Sequence, residues 1–159
     1  MDTNLEKGKE AFSITGNTLA NILTGGGAND TLDGSSSSDT LNGGLGNDSL
    51  IGGSGNDQFI FNTALGATNV DTISGYSTTA DTIVLDRAVF TALGSPGTLT
   101  AGAFNTGSAA SQADDRIIYD TTTGALLYDA DGVGGVAAVQ FATLTGVTGL
   151  INNTEFLII

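Results

Sequence analysis

The sequence predicts an all-β protein in three stretches: a lead-in over residues 1–15, a coil of very short strands over 16–60, and a β-rich cap over 61–159. Three observations predict it. Glycine, 24 of the 159 residues, crowds into positions 16–55. A pattern of three residue columns recurs every nine positions across the same stretch. Val, Ile, Phe and Tyr concentrate after position 58, in alternating runs separated by Gly, Asp and Thr.

The nine-residue period is seen by aligning GNTLANILT (16–24), GGGANDTLD (25–33), GSSSSDTLN (34–42), GGLGNDSLI (43–51) and GGSGNDQFI (52–60). Gly16, Gly25, Gly34, Gly43 and Gly52 open the units; Asn21, Asp30, Asp39, Asp48 and Asp57 hold the sixth place; Leu23, Leu32, Leu41, Leu50 and Phe59 hold the eighth. The third unit has the composition of a flexible linker, but a linker has no reason to keep three columns in step with its neighbours. Places seven to nine alternate polar and apolar, as in TLD, TLN and SLI, and read as short strands with the leucine inward. A glycine-rich turn that bends tightly and presents backbone carbonyls follows each one.

One buried leucine per nonapeptide contributes little against the cost of ordering nine backbones, and acids stacked from turn to turn repel. A bound cation removes the repulsion, so folding is expected to be metal-linked. Composition narrows the ion. With no Cys and no His, disulfides, zinc and copper sites and Cys or His nucleophiles are excluded. Oxygen donors from Asp, Asn, Ser and the backbone remain, and they suit calcium. Seventeen acids against four bases, a net charge of −13, disfavour nucleic acid and anionic membrane surfaces. No apolar run approaches the roughly 18 residues of a membrane span. G-x-S-x-G and H-E-x-x-H are both absent, and acids on a nine-residue clock fit ligands better than an Asp/Asp glycosidase pair. An enzyme is not expected within this chain.

GGLGNDSLI and GGSGNDQFI are complete matches to G-G-x-G-x-D-x-U-x, and on these units the chain resembles the RTX (repeats-in-toxin) proteins. The resemblance implies a parallel β-roll with two nonapeptides per coil turn and Ca2+ held between turns eighteen residues apart. One turn would give the carbonyls of its second and fourth residues and its Asp; the later turn would give those of its first and third and its own Asp. Carried over, Gly26, Ala28 and Asp30 face Gly43, Leu45 and Asp48, and Ser35, Ser37 and Asp39 face Gly52, Ser54 and Asp57. A third site sets Asn17, Leu19 and Asn21 against Gly34, Ser36 and Asp39, with a neutral Asn21 where a carboxylate belongs. Asp71 is the candidate ligand for an end site.

Beyond residue 60, strands are read at DTISGY (71–76), DTIVLD (81–86), DRIIYD (115–120), GALLYDADG (124–132), VAAVQFATL (136–144) and EFLII (155–159), with one short helix at DRAVFTAL. YDADGVGG fails as an EF-hand loop, because Val133 and Gln140 stand where oxygen ligands belong, and reads as a hairpin turn. In order, these runs resemble the carboxy-terminal region of serralysin-type RTX proteins. That resemblance implies an antiparallel β cap on the roll and a carboxy-terminal signal, ending in EFLII, read by a type I (ABC transporter) export machine. The opening MDTNLEKGKEAF has no hydrophobic segment of an amino-terminal export signal, which fits that route. The expected function is a calcium-binding module that folds on meeting extracellular calcium and supports type I secretion and folding of an exported protein. Any catalytic domain would lie upstream. The alternative is an adhesin-like or polysaccharide-binding module attached to an extracellular enzyme.

Overall fold

In TLD and SLI the leucine is buried and its two polar or β-branched neighbours are half-buried, so each repeat turns one apolar side chain inward. A computed structural model describes residues 10–159; most of the lead-in, residues 1–9, lies outside the described residues. The strands are β1 (Ser13–Thr15), β2 (Ile22–Gly26), β3 (Thr31–Asp33), β4 (Thr40–Gly44), β5 (Ser49–Ile51), β6 (Gln58–Phe61), β7 (Asp71–Ser74), β8 (Thr82–Leu85), β9 (Gly97–Thr98), β10 (Phe104–Thr106), β11 (Ile117–Tyr119), β12 (Ala125–Tyr128), β13 (Val139–Thr145) and β14 (Phe156–Ile158).

Alternate repeats go to alternate sheets. One sheet runs β1-β3-β5-β7-β13-β12-β11-β10 and the other β2-β4-β6-β8-β14-β9. Pairing within the repeats is parallel and joins equivalent residues of successive coil turns, Leu23 with Leu41 and Leu32 with Leu50. The two sheets close on a core one side chain wide. Leu23, Leu32, Leu41, Leu50, Phe59, Ile73 and Ile83 line it, and all are buried. This is a parallel β-roll.

The sequence period stops at residue 60, but the coil does not. β7 pairs parallel with β5 and β8 with β6, and then β13 pairs parallel with β7 and β14 with β8. Longer connections absorb the lost period, since the offset between stacked aspartates grows from 18 residues to 23 and 24. The antiparallel pairing expected of the cap is found in β11–β12–β13 and β9–β14. One apolar cluster runs from Leu23 to Ile158. In the cap it is aromatic: Phe141 meets Phe61 and Phe90 edge-on at 5.1 Å, and Phe90 meets Tyr128 at 5.2 Å.

The helix expected at DRAVFTAL is a pair of turns instead. The N–H groups of Val89 and Phe90 both reach Asp86 O, at 3.0 and 2.9 Å, and Leu93 N–H reaches Phe90 O at 3.2 Å. Gly94, at φ +86°, turns the chain away before a ladder can repay the cost of a helix nucleus. Burial of Phe90 and Leu93 in the core holds the turns in place. Among the described residues the helical segments are two 3₁₀ turns, Ala101–Ala103 and Asn153–Glu155. No helix among them is long and apolar enough to cross a membrane.

Leu50 is fully buried and in register with Leu32 and Ile73 on either side. Leu50→Ala is expected to lower stability by about 2–5 kcal/mol, measured by denaturant unfolding in saturating calcium. Ile22→Ala, at a side chain 82% exposed on the outer strand, is expected to change it by less than about 0.5 kcal/mol.

Candidate metal centre

The connections between the two sheets stack into two edges. Along the first lie the turns ending in Asp30 and Asp48; along the second lie those ending in Asn21, Asp39 and Asp57. In each stack a sixth-place Oδ1 accepts the backbone N–H of the residue one coil turn earlier: Asp48 from Asp30 at 2.7 Å, Asp57 from Asp39 at 2.8 Å, Asp39 from Asn21 at 2.7 Å. Asp30 takes the N–H of Phe12 in the same way at 3.0 Å. The aspartate column is therefore a side-chain ladder that fixes the register of the turns.

The second oxygen of these carboxylates has no such use. Oδ2 of Asp39, Asp48 and Asp57 is buried without a hydrogen-bond partner, in residues no more than 2% exposed. At the outer turns the equivalent atom is satisfied, Asp30 Oδ2 by Gly26 N–H at 2.8 Å and Asn21 Oδ1 by Asn17 N–H at 2.7 Å. A buried, unpartnered carboxylate oxygen is unfavourable unless a cation meets it. Neither arginine does: Arg87 is bonded to Gly94 O, and Arg116 to Ala113 O and Asp115 O. Among the described residues no three acidic side chains gather into a cluster, so ligation would draw on backbone carbonyls as well. Oxygen-only donors of this kind fit calcium.

The first-place glycines owe their identity to that carboxylate. A Cβ on Gly43 or Gly52 would collide with Oδ2 and come within 2.9 Å of Cβ of the same unit's aspartate. Crowding, and not the bending expected from the sequence, excludes a side chain there. Bending is required at the second and fourth places of the last three repeats. Gly44 and Gly46 stand at φ +95° and +128°, Gly53 and Gly55 at +94° and +145°. Ser35 and Ser37 take the same conformation at +75° and +81°, as the only non-glycine residues with positive φ among those described.

The expected partners are brought together. Gly26 pairs with Gly44, and Leu45 N–H bonds Gly26 O at 2.9 Å, which leaves that carbonyl a second lone pair. Ser36 bridges Ser54, and Ser54 N–H reaches Ser35 O at 3.2 Å. Against Gly34, Ser36 and Asp39, the outermost turn is closed by its own amides: Asn17 Oδ1 takes Leu19 N–H at 2.8 Å while Asn21 Oδ1 takes Asn17 N–H. Ser37 Oγ adds a bond to Thr18 O at 2.9 Å. Asp71 extends the first edge, its Oδ1 accepting Asp48 N–H at 3.0 Å.

Asp81 was not foreseen. Its Oδ1 accepts Asp57 N–H at 3.1 Å and its Oδ2 accepts Ser77 N–H at 2.9 Å, so it does for the second edge what Asp71 does for the first. The signal was present: Asp-Thr followed by Leu or Ile stands at residues 30, 39, 71 and 81. A fifth-place ladder was also missed, in which Asn29 Oδ1 takes Asn47 N–H and Asn47 Oδ1 takes Val70 N–H, both at 2.9 Å. YDADGVGG forms the β12–β13 connection, with Asp129 Oδ1 accepting the N–H groups of Asp131 and Gly132.

Burial pushes Asp71 up to about 7; Asp48 N–H opposes this and the Asp48 charge adds to it. Asp48 and Asp57 are raised for the same reason, burial first, with a backbone N–H opposing and neighbouring carboxylates adding. A column of buried aspartates between the turns of a parallel coil, with an unpartnered oxygen on each of Asp39, Asp48 and Asp57, is the arrangement of a calcium-binding β-roll.

The RTX calcium-binding nonapeptide repeat, as a family model of four copies, matches residues 15–50 and 33–64, and this part of the chain is a run of RTX calcium-binding repeats. A search of curated proteins finds no match. Among solved structures, the chain is similar to the AlgE6R3 subunit of the Azotobacter vinelandii mannuronan C5-epimerase, solved in solution. The two are 23% identical over 91% of this chain and 78% of that one, with a TM-score of 0.49.

Two outcomes are expected from this geometry. An unfolded Asp titrates near 3.9 and folded Asp71 near 7, so without metal the folded chain holds the extra proton between those values. Metal-free stability is therefore greatest at the acid end and falls as pH rises through that window. Circular dichroism in chelator should show more β-structure at the acid end of that window than above it, with calcium affinity changing in the opposite sense. Ser35→Gly removes a strain of about 1–2 kcal/mol and should tighten calcium binding by calorimetry. Ser37→Gly should gain less, because it also loses the hydroxyl bond to Thr18 O.

Proposed function

We propose that this chain is a calcium-responsive folding module of an exported protein, with Ca2+ held between its stacked turns. The row of buried, unpartnered Oδ2 atoms on Asp39, Asp48 and Asp57 is the observation that carries the reading. Calcium would supply positive charge to those atoms. The chain would do the rest: Oδ1 sets the register of each turn, Gly26, Ala28, Gly43 and Leu45 would offer carbonyls on one edge, and Ser35, Ser37, Gly52 and Ser54 would do so on the other. Asn17, Leu19, Gly34 and Ser36 would offer theirs at a third, weaker site beside the neutral Asn21.

Where calcium is scarce, carboxylate repulsion and a core one side chain wide leave the repeats unfolded and able to thread a transporter. Outside the cell, calcium would close the coil. The carboxy-terminal strand suits both stages of type I export: EFLII would be read while extended and afterwards buried as β14, where Phe156 and Ile158 lie in the core between β8 and β9. A catalytic domain upstream would be the cargo. A polyanionic sugar ligand is not favoured, since Arg87 and Arg116 are both tied to backbone carbonyls and form no basic stripe.

The test is circular dichroism of the chain in chelator and then in rising calcium. β signal should appear with calcium over about 10⁻⁴ to 10⁻³ M, the affinity of extracellular modules. A complete β signal in chelator, unchanged by calcium, contradicts the reading.

A further inference from the structure

The first place of the fourth repeat admits only glycine, because a Cβ on Gly43 would collide with Asp48 Oδ2. Whatever stands ninth in the preceding unit is therefore followed by glycine. The ninth places are Thr24, Asp33, Asn42, Ile51 and Ile60. At Asn42 the result is an Asn-Gly pair, and Asn42 is the one asparagine of the chain followed by glycine. A glycine leaves its backbone nitrogen unshielded by a side chain and free to reach unusual dihedrals. Such a nitrogen can attack the preceding side-chain amide and close a five-membered imide.

In the coil that attack is blocked. Asn42 lies in β4, in register with Thr24 of β2, and β4 pairs with β6 on its other side. An extended backbone turns the following nitrogen away from the side chain, whereas the imide needs both on the same side of the Cα–C bond. The side-chain amide is also tied: Oδ1 accepts Gly44 N–H at 3.1 Å, and Nδ2 donates to Asn62 Oδ1 at 3.0 Å. The first of these bonds helps to hold Gly44 at φ +95°. Asp33 does the same one repeat earlier, its Oδ1 accepting Ser35 N–H at 2.9 Å, so an ordinary aspartate fits the ninth place.

Resting on the calcium-responsive reading above, we propose that Asn42–Gly43 is a modification site open only in the calcium-free chain, where it deamidates and ends the ability to form the coil. The Gly43 nitrogen attacks Asn42 Cγ. The N–Cγ bond forms, the Cγ–Nδ2 bond breaks, and the amide leaves as ammonia with the proton from Gly43. Water then opens the imide. Addition at Cγ gives aspartate; addition at the backbone carbonyl gives isoaspartate, whose main chain runs through Cβ and Cγ. Isoaspartate lengthens β4 by one methylene between Leu41 and Gly43. Leu41 then cannot stay level with Leu23 and Phe59 while Gly44 stays level with Gly26. Time spent without calcium is thus recorded as an irreversible loss of folding competence.

The experiment ages the full chain in mildly alkaline buffer, one sample in chelator and one in calcium, with folding followed by circular dichroism. Peptide mapping by mass spectrometry, with isoaspartate detection, reads position 42. Conversion should run at least about tenfold faster in chelator, since a strand paired on both sides rarely opens. Chelator-aged chains that carry isoaspartate should fail to regain β signal when calcium is restored. Asn42→Thr repeats the residue at the ninth place of the first unit and should keep its recovery after the same ageing. Asn42→Asp should fold in calcium, which separates the added methylene from the added charge. Equal conversion in the two buffers, in a chain whose folding follows calcium, overturns the inference. So does full recovery of chains that carry isoaspartate, an Asn42→Thr chain that loses recovery as fast as the wild type, or an Asn42→Asp chain that cannot fold. A wild-type chain folded alike in chelator and calcium would instead overturn the proposed function itself.

Discussion

A buried carboxylate oxygen with no proton donor, repeated from turn to turn, is the constraint on which the rest of the roll depends. Each sixth-place aspartate divides its two oxygens between two tasks. Oδ1 accepts the N–H of the preceding turn and sets the register; Oδ2 is left buried and bare at Asp39, Asp48 and Asp57. Register and metal demand therefore reside in the same side chain, and the coil cannot keep one without the other. The first-place glycine follows, because the folded-back carboxylate leaves no room for a Cβ. So does the excess of acid over base, since a neighbouring lysine or arginine would satisfy Oδ2 and leave no demand for a metal cation.

The apolar side of the design is correspondingly thin. One leucine per strand gives a core a single side chain wide, too little to order a long coil without help. The cap is built differently. There Phe61, Phe90, Tyr128 and Phe141 interlock, and β13 and β14 continue the two sheets of the roll. The coil thus runs into a hydrophobic end, joined to it through Asp71 and Asp81.

Most of the roll was legible in the sequence because its period is tied to a repeated contact: Leu32, Leu41 and Leu50 fall inward and Asp30, Asp39, Asp48 and Asp57 fall on the ladder, as their columns require. The positive φ of Ser35 and Ser37 has a sequence signal as well, since glycine fills the same places in the two following units. What escaped was structure without a period. Asp81 continues a column across a 24-residue gap, which a nine-residue alignment does not reach. β9 spans two residues and β10 is defined by pairing with β11, so neither has a pattern of its own. DRAVFTAL has helical composition, and its turns are fixed by burial of Phe90 and Leu93 and by Gly94. The loop from Thr63 to Asn69 is a set of polar contacts between residues whose types alone name no partner.

If calcium is the missing partner of the buried Oδ2 atoms, folding stability must rise with calcium activity in proportion to the number of ions taken up. The direct measurement is unfolding free energy from denaturant titrations at a series of free calcium concentrations. The account predicts a steep linear rise with the logarithm of calcium, its slope matching several ions per chain, and a slope that falls when Asp48 is replaced by Asn. A stability independent of calcium, or a slope unchanged in Asp48→Asn, would contradict it.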